Sequence, residues 1–375
     1  MLQLIRRWPA KSGQSDRGAV ATLVAILLAG GVLLGMAALA VDVGRLYAER
    51  EELQSGADAA AMAVAKLCAE KPANCAGGSA AIAAHYADEN AKDNASGVSA
   101  ICGDMNGALP ACPAPADNLT ACLNDPPDSE YVEVRTSTEL PGGSTLLPPT
   151  FAQALVGNEG YSGTRVAACA RASFGAPIPA KGIALTISVC EWDALTGGGT
   201  TFPAAPPYPP NPLPPTSAEK ASYLHSTAKA KTCPAGPSGW DKPGGFGWLD
   251  EEGGPCEALV GDDGTVGGNT GNSASGTCQD LLEDYYNNPR VLFIPVYDGV
   301  LGTGSNTTYH IKGMAAFVLT GYSLPSNREK SWLSGKHLCN ASESCLYGFF
   351  TQALIPVPGP IGGPDLGARI VTLIG

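Results

Sequence analysis

The longest hydrophobic segment of the sequence lies close to its start. From Gly18 to Val41 no residue is charged. As an α-helix this run would be about 36 Å long, enough to cross the roughly 30 Å hydrocarbon core of a bilayer. A core helix of a soluble domain would be shorter and would show polar residues every three to four positions. The pattern therefore predicts one transmembrane helix over residues 18–41, preceded by a cytoplasmic segment, residues 1–17.

The charges that flank this run predict its direction. Basic residues dominate before it, whereas acidic residues outnumber basic ones just after it. By the positive-inside rule the N-terminus stays in the cytoplasm and the body is extracytoplasmic, which makes this a single-pass cell-membrane protein. A cleaved signal peptide is the alternative, because Ala38-Leu39-Ala40 has the A-x-A spacing of a cleavage site. The run exceeds the usual apolar region of about 7–15 residues, which favours a retained anchor.

Beyond the run, small and apolar residues keep a helical period. Asp42, Gly44 and Arg45 mark the predicted exit from the membrane, and an alanine-rich stretch follows. From Val43 to Leu67 the pattern advances by alternating threes and fours, with Arg50 as its one polar interruption, which is typical of a helix that packs on another helix. This packing seam comprises Leu46, Leu53, Ala57, Ala60 and Val64. The pattern fits two arrangements: packing on a helix of another molecule, including a second copy of the chain, or packing on the protein's own domain.

The remaining periodicity predicts an α+β protein in which the transmembrane helix continues as a long extracytoplasmic helix and a β-rich, disulfide-stapled body follows. The helical region covers residues 42–95, and a Cys- and Pro-containing loop and small strand region covers 96–175. A β-rich C-terminal domain covers 176–375 and contains a Pro- and Gly-rich insertion at 191–290 with a polyproline spacer at 203–215.

Several strands are predicted within these regions. Residues 131–138 alternate between apolar and polar side chains, as in a half-buried strand, and residues 164–174 are its predicted partner. Residues 96–129 are expected to be a stapled loop with little regular structure. Further segments rich in β-branched and aromatic residues predict strands at 183–189, 291–297, 309–319 and 368–374, all in the C-terminal domain.

The net charge and the cysteine content indicate which partners the protein can bind and in which compartment its body folds. The net charge of -12 argues against nucleic-acid binding, which requires clustered basic residues. The twelve cysteines all lie after residue 67, and an even number confined to the exported part indicates disulfides. The full connectivity cannot be read from the sequence, but the short spacings make Cys68 with Cys75 and Cys339 with Cys345 sterically reasonable pairs.

Motifs for catalysis or metal binding are incomplete. The segment GNSAS, residues 271–275, has serine where a nucleophile elbow needs its last glycine, and Asp262-Asp263 lacks the spaced oxygens of a calcium loop. The four histidines are scattered, and C-x-x-C and H-E-x-x-H are absent. The sequence therefore predicts no catalytic, metal or cofactor site and a protein that is not an enzyme.

Residues 17–65 carry a specific resemblance. Arg17-Gly18 precedes the apolar run, VDVGR follows it at 41–45, and Leu53-Gln54 is followed by ADAAA at 57–61. This set resembles the N-terminal region of TadE/TadG-like proteins of Flp (tight adherence) pilus assembly. A weaker echo at 131–174 resembles the strand, short apolar helix and strand that often follow the anchor. Leu23 stands five residues after Gly18, where prepilins carry an acidic residue, so the resemblance is to the TadG-like branch.

The resemblance implies a non-enzymatic envelope protein that assembles or anchors a pilus through contacts with other envelope proteins. Two alternatives remain open. One is an adhesin or ligand-binding body that uses the same anchor, with Trp240, Phe246 and Trp248 as exposed binding aromatics. The other is a membrane-anchored exported hydrolase. The sequence alone identifies neither the partner nor the position in the fibre or at its base.

Overall fold

The structure is a computed structural model. It describes residues 17–29, 31–104, 107–114, 122, 129–151, 162–225, 233, 244–269, 274–303, 306–325, 327–356 and 359–374.

Five α-helices lie within the described residues: α1 (Arg17–Ala29), α2 (Val32–Glu70), α3 (Pro72–Glu89), α4 (Val189–Thr196) and α5 (Gly276–Asn287). Helices α2 and α3 form a hairpin that turns at Lys71, with Pro72 at the first position of α3. Proline suits this position because its missing N–H would have no partner inside the helix.

In the structure the apolar run contributes to two helices, whereas the sequence predicts one helix over residues 18–41. Helix α1 ends at Ala29, and α2 begins at Val32 after Gly31, whose φ of 70° is left-handed. Glycine adopts this conformation without steric cost, so Gly31 permits a local change of direction that the hydropathy pattern does not reveal. Among the described residues, no helix combines the length and the apolar character that crossing a bilayer would require.

A five-stranded sheet supports the helical hairpin, in the order β1-β2-β3-β15-β14. Its strands are β1 (Ser96–Asp104), β2 (Tyr131–Thr138), β3 (Ala167–Gly175), β14 (Ala353–Leu354) and β15 (Ala368–Leu373). Strands β2 and β3 pair antiparallel, which confirms the predicted pairing. Strand β1 corrects the expectation of an irregular loop, since it pairs along its length with β2. Its few large apolar residues gave no clear strand signal.

Strand β2 is buried on both faces, whereas its alternation predicted a half-buried strand. Val132 and Val134 face the α2 side of the sheet and belong to the core there. On the other face, Glu133 is fully buried and forms ion pairs of 2.6 Å with both Arg135 and Arg171. Buried charges persist only when they are paired, and this triad explains how a polar face can be covered.

A second, eight-stranded sheet forms the larger core, with the main order β6-β13-β11-β10-β5-β7 and with β9 and β12 paired to β11. A small sheet pairs β4 with β8. The strands are β4 (Lys181–Ile183), β5 (Leu185–Ser188), β6 (Lys220–Tyr223), β7 (Phe246–Trp248), β8 (Glu257–Leu259), β9 (Thr265–Gly267), β10 (Val291–Leu301), β11 (Thr308–Ser323), β12 (Arg328–Glu329) and β13 (Cys345–Thr351).

Two placements bear on the predicted organisation. Residues 191–290, the predicted insertion, supply β6, β7, β8, β9 and α5 and so contribute to the second core. The last strand, β15, pairs with β3 of the first sheet on one side and with β14 on the other, so the predicted C-terminal domain contributes two strands to the first sheet. Periodicity identifies a strand, but a neighbour so distant in sequence is chosen by the shape of the folded core.

Six disulfides join all twelve cysteines: 68–75, 102–112, 122–169, 190–233, 256–278 and 339–345. The pairs Cys68–Cys75 and Cys339–Cys345 are the two suggested by short spacing. The pair Cys190–Cys233 ties the long segment to α4.

Candidate functional site

The predicted packing seam lies at the centre of the smaller core. Ala57, Ala60 and Val64 are fully buried, and Leu53 is 2% exposed. They pack against α3 and against the face of β2 and β3 that carries Val132 and Ala170. Of the two arrangements compatible with the sequence, the structure therefore has the one in which the seam packs on its own domain. Because this surface is covered, a partner helix cannot occupy it in the folded chain.

The helix pair approaches most closely at Gly56. A β-carbon built there would lie 3.1 Å from the Ala87 carbonyl oxygen and 3.2 Å from the Ala87 Cα. The hairpin therefore depends on small residues in α2, because the backbones are too near for a side chain to fit between them.

Polar contacts fix α2 to the sheet at the Leu53-Gln54 pair. Thr136 donates its hydroxyl to the Leu53 carbonyl at 2.9 Å. The Gln54 amide donates to the Cys169 carbonyl at 3.1 Å and to the Asp58 carboxylate at 2.8 Å. Burial raises the pKa of Asp58, and the hydrogen bond from Gln54 opposes part of that rise. Leu53, Gln54 and Asp58, which are among the residues that resemble TadE/TadG-like proteins, therefore help to dock the helix on the sheet.

Contacts also hold the far end of α2. The Cys68–Cys75 disulfide joins it to α3, and Arg369 of β15 donates to the Ala69 carbonyl at 2.7 Å. A cation at this position satisfies a carbonyl of the last turn and interacts favourably with the helix dipole. Arg369 is itself held by Asp365 at 2.6 Å. The C-terminal strand thus fastens the helix that begins near the N-terminus.

Nearer its N-terminus, about three turns after Val32, α2 binds the loop that follows β2. The Asp42 carboxylate accepts hydrogen bonds from the backbone N–H of Thr150 at 2.7 Å and of Phe151 at 3.1 Å. Arg45 donates to the Pro148 carbonyl at 3.2 Å and to the Thr150 hydroxyl. We call this set, Asp42 and Arg45 with residues 148–151, the helix–loop clasp. Two of the three predicted membrane-exit residues thus bind the body, while Gly44 stays exposed with open space beside it.

Before residue 53 most of the large apolar side chains that the structure describes are exposed. Leu46 is half-buried beside the clasp, and Tyr47 is 68% exposed. Most of the exposed large hydrophobic residues among the described positions lie in this part of the chain: Val20, Leu23, Val24, Ile26, Leu28, Val32, Met36, Leu39, Val41, Val43 and Tyr47. Contiguous exposed apolar surface of this kind is typical of an interaction site.

The cysteine clusters do not form a metal site. Cys102, Cys112 and Glu133 bring their ligand atoms within 4.8 Å of one another, as do Cys122, Cys169 and the same glutamate. All four sulfurs are in disulfides and are therefore not thiolates, the form that binds metals. The Glu133 carboxylate is engaged by two arginines.

The aromatic surface expected for an adhesin is not present at two of its three positions. Phe246 is fully buried and Trp248 is 3% exposed, because β7 pairs with β5 inside the second core. Trp240 lies outside the described residues. The sequence pattern misled here because glycine-rich flanks suggested an exposed loop. Ser275, the last residue of GNSAS, caps α5 by accepting from the Cys278 N–H at 3.1 Å, and residues 271–273 lie outside the described part.

One acid–histidine pair was not anticipated from the sequence. His310 Nδ1 lies 2.6 Å from the Asp298 carboxylate across the β10–β11 hairpin. Twelve residues separate the two, and only the hairpin register brings them together, so no local motif could have indicated the contact.

The N-terminal part of the chain matches a known protein family. Residues 18–67 match the family described as Flp pilus-assembly TadE/G-like. The match covers α1 after its first residue and α2 as far as Leu67, which includes the clasp residues of α2 and the buried seam. No curated protein and no solved structure matched the chain.

Proposed function

We propose that this protein acts in the assembly or anchoring of Flp-type pili as a non-enzymatic, single-pass membrane protein with an extracytoplasmic body. The observation that carries the proposal is the match of residues 18–67 to the Flp pilus-assembly family. The same residues form the uncovered apolar segment and the buried docking face of α2, so the matched region has both an anchoring part and a body-binding part.

Three features support the anchor and its direction. The residues of the apolar run leave most of their large side chains exposed, and water is an unfavourable environment for such a surface. Basic residues precede the run, which favours a cytoplasmic N-terminus. All six disulfides follow the run, as expected for a body that folds in an oxidising compartment.

Contacts with other envelope proteins would be made by surfaces other than the packing seam. Since residues 53–64 of the seam are covered by their own domain, the exposed part of α2 up to Tyr47 is the surface on which another envelope protein or a second copy would pack. Small residues such as Gly35 and Gly44 lie in this part and permit close approach of helices.

A complementation experiment tests the proposal. A strain that lacks the protein is supplied with the full chain, with a Leu23→Arg/Ile26→Arg variant, or with Ile178→Arg as control. Each arginine in the run opposes membrane insertion by about 2.5–3.5 kcal/mol, whereas Ile178 is 48% exposed on the body. We expect the double variant to leave the membrane fraction and to abolish pili, and the control to retain both.

Normal piliation in the strain that lacks the protein would refute the proposed role. So would normal piliation in a strain whose double variant is absent from the membrane fraction. Mass spectrometry of the wild-type chain without reductant gives an independent check of topology. Retention of residues 1–41 together with oxidised cysteines is expected. A mature chain that begins near Val41 would contradict the retained anchor.

A further inference from the structure

The helix–loop clasp ties a loop of the body to the end of the apolar run. Asp42 is the first residue after that run, and its carboxylate binds the backbone N–H of Phe151. The loop also reaches back along the helix. A cavity of about 120 Å³ lies between Leu39, Val43 and Leu46 of α2 and Leu147, Pro148 and Pro149 of the loop. Because Leu39 belongs to the predicted span, the loop extends to the level at which the span ends.

The backbone of this loop suits a region of low polarity. Of the five residues Leu147–Phe151, two are prolines and have no N–H. The first N–H donates to the Thr164 carbonyl at 2.9 Å, and the last two donate to the Asp42 carboxylate at 2.7 and 3.1 Å. Every backbone donor of the segment is therefore satisfied within the protein. An unsatisfied donor is costly where water is scarce, so this arrangement removes the main penalty for entering a membrane surface.

The side chain at the end of the segment is apolar and uncovered. Phe151 is 46% exposed, although its backbone is held by Asp42. Tyr47, which is 68% exposed, lies little more than one helical turn beyond Asp42. Tyrosine concentrates where a membrane meets water, because it combines an apolar ring with a polar tip, and phenylalanine is common on the apolar face of segments that lie in the interface.

We propose that the loop Leu147–Phe151 lies in the membrane–water interface and that Phe151 inserts among the lipids beside the helix as a second contact with the bilayer. The clasp would then fix how the body stands on the membrane, because a helix alone leaves rotation and tilt to its packing partners. This inference rests on the proposed anchor, since the loop is at the interface only if the apolar run is in the bilayer.

The test uses tryptophan fluorescence of the full chain in vesicles of phosphatidylcholine and phosphatidylglycerol, with and without bromine on the acyl chains near the headgroups. Phe151→Trp is compared with Tyr86→Trp, and the wild-type chain supplies the background of its five tryptophans. Tyr86 is a matched control because it is 42% exposed and lies next to Ala87, which contacts Gly56, about 20 Å along α2 from Asp42.

We expect bromine to abolish most of the emission added by Phe151→Trp and to leave the emission added by Tyr86→Trp unchanged. Asp42→Ala in the Phe151→Trp chain should reduce the quenching, because the loop then loses the acceptor for two N–H groups. Equal quenching of the two tryptophan variants would overturn the proposal. So would photo-crosslinking from position 151 in native membranes that captures a protein in place of lipid.

Flotation of the vesicles separates this inference from the anchor. A wild-type chain that does not float with the vesicles contradicts the proposed function itself. A chain that floats while Phe151→Trp escapes quenching keeps the anchor and refutes only the interfacial position of the loop.

Discussion

The close approach of α2 and α3 at Gly56 leads to a prediction in which two effects of similar size oppose each other. Replacing a helical glycine with alanine favours the helix by about 1 kcal/mol. At Gly56 the new β-carbon would lie 3.1 Å from the carbonyl oxygen and 3.2 Å from the Cα of Ala87. The second distance is short for two carbon atoms, which pack best at about 3.5–4.0 Å. Either the helices separate by a few tenths of an ångström or the contact is strained.

The structure indicates that α3 cannot yield easily at this point. On one side of Ala87, the Asp88 carboxylate accepts from the Ser96 N–H at 2.9 Å. Just beyond the helix, the Lys92 N–H donates to Glu52 at 3.0 Å, which ties α3 back to α2. Overpacking of such a fixed site costs about 1–3 kcal/mol. We therefore expect Gly56→Ala to destabilise the hairpin by about 1 kcal/mol despite the gain in helix propensity.

Gly77→Ala is the matched control, because Gly77 is also inside a helix but a β-carbon there meets no atom within 4 Å. It should stabilise the hairpin by about 0.5–1 kcal/mol. Native-state hydrogen exchange of α3, read by mass spectrometry on the disulfide-intact full chain, measures both changes. We expect exchange about fivefold faster for Gly56→Ala and a few-fold slower for Gly77→Ala, since 1.4 kcal/mol corresponds to tenfold.

Stabilisation by Gly56→Ala equal to that of the control would refute the reasoning, because it would mean that the helices do not approach this closely. The contact is with the backbone of Ala87 and not with its methyl group. Ala87→Gly should therefore fail to rescue Gly56→Ala, and a full rescue would also contradict the explanation.

Three further predictions concern the smaller core. Replacing the Cys68–Cys75 pair by serines should cost about 2–3 kcal/mol, measured by denaturant unfolding, because a short closed loop is released in the unfolded chain. Glu133→Gln should cost about 3 kcal/mol or more in the same assay, since two buried arginines lose their counter-ion; a change below about 1 kcal/mol would mean that the triad is solvated. Asp58→Asn should raise the free energy of unfolding at pH 7 and leave it unchanged near pH 3.

The sign of the Asp58 effect follows from the direction of its pKa shift. Burial raises the pKa of this carboxyl in the folded chain, so the folded state binds its proton more tightly than the unfolded state. Stability contributed by this group is therefore present below its ordinary pKa of 3.8 and falls as the pH rises through the higher folded value. Asparagine avoids this loss and still offers an oxygen to Gln54. A larger benefit at pH 3 than at pH 7 would show that the sign is wrong.

The sequence by itself determined those features that depend on local pattern. The helical period after Val41, the strands at 131–138 and 291–297 and the short-range disulfides all arise from the residue types and spacings that form them. The seam from Leu53 to Val64 was likewise visible as a packing face, because burial requires small and apolar residues at the helical repeat.

Only the tertiary structure decided what each pattern packs against. An apolar stripe on a helix does not specify which surface it packs against. The seam was therefore compatible with a second molecule as well as with its own sheet, and the structure shows that β2 and β3 cover it. The same holds for β15, which joins the first sheet, and for Asp42 and Arg45, which bind a loop more than a hundred residues away. Such contacts depend on the shape of the folded core. Local sequence patterns report the period and burial of one element and do not identify the distant element that it will contact.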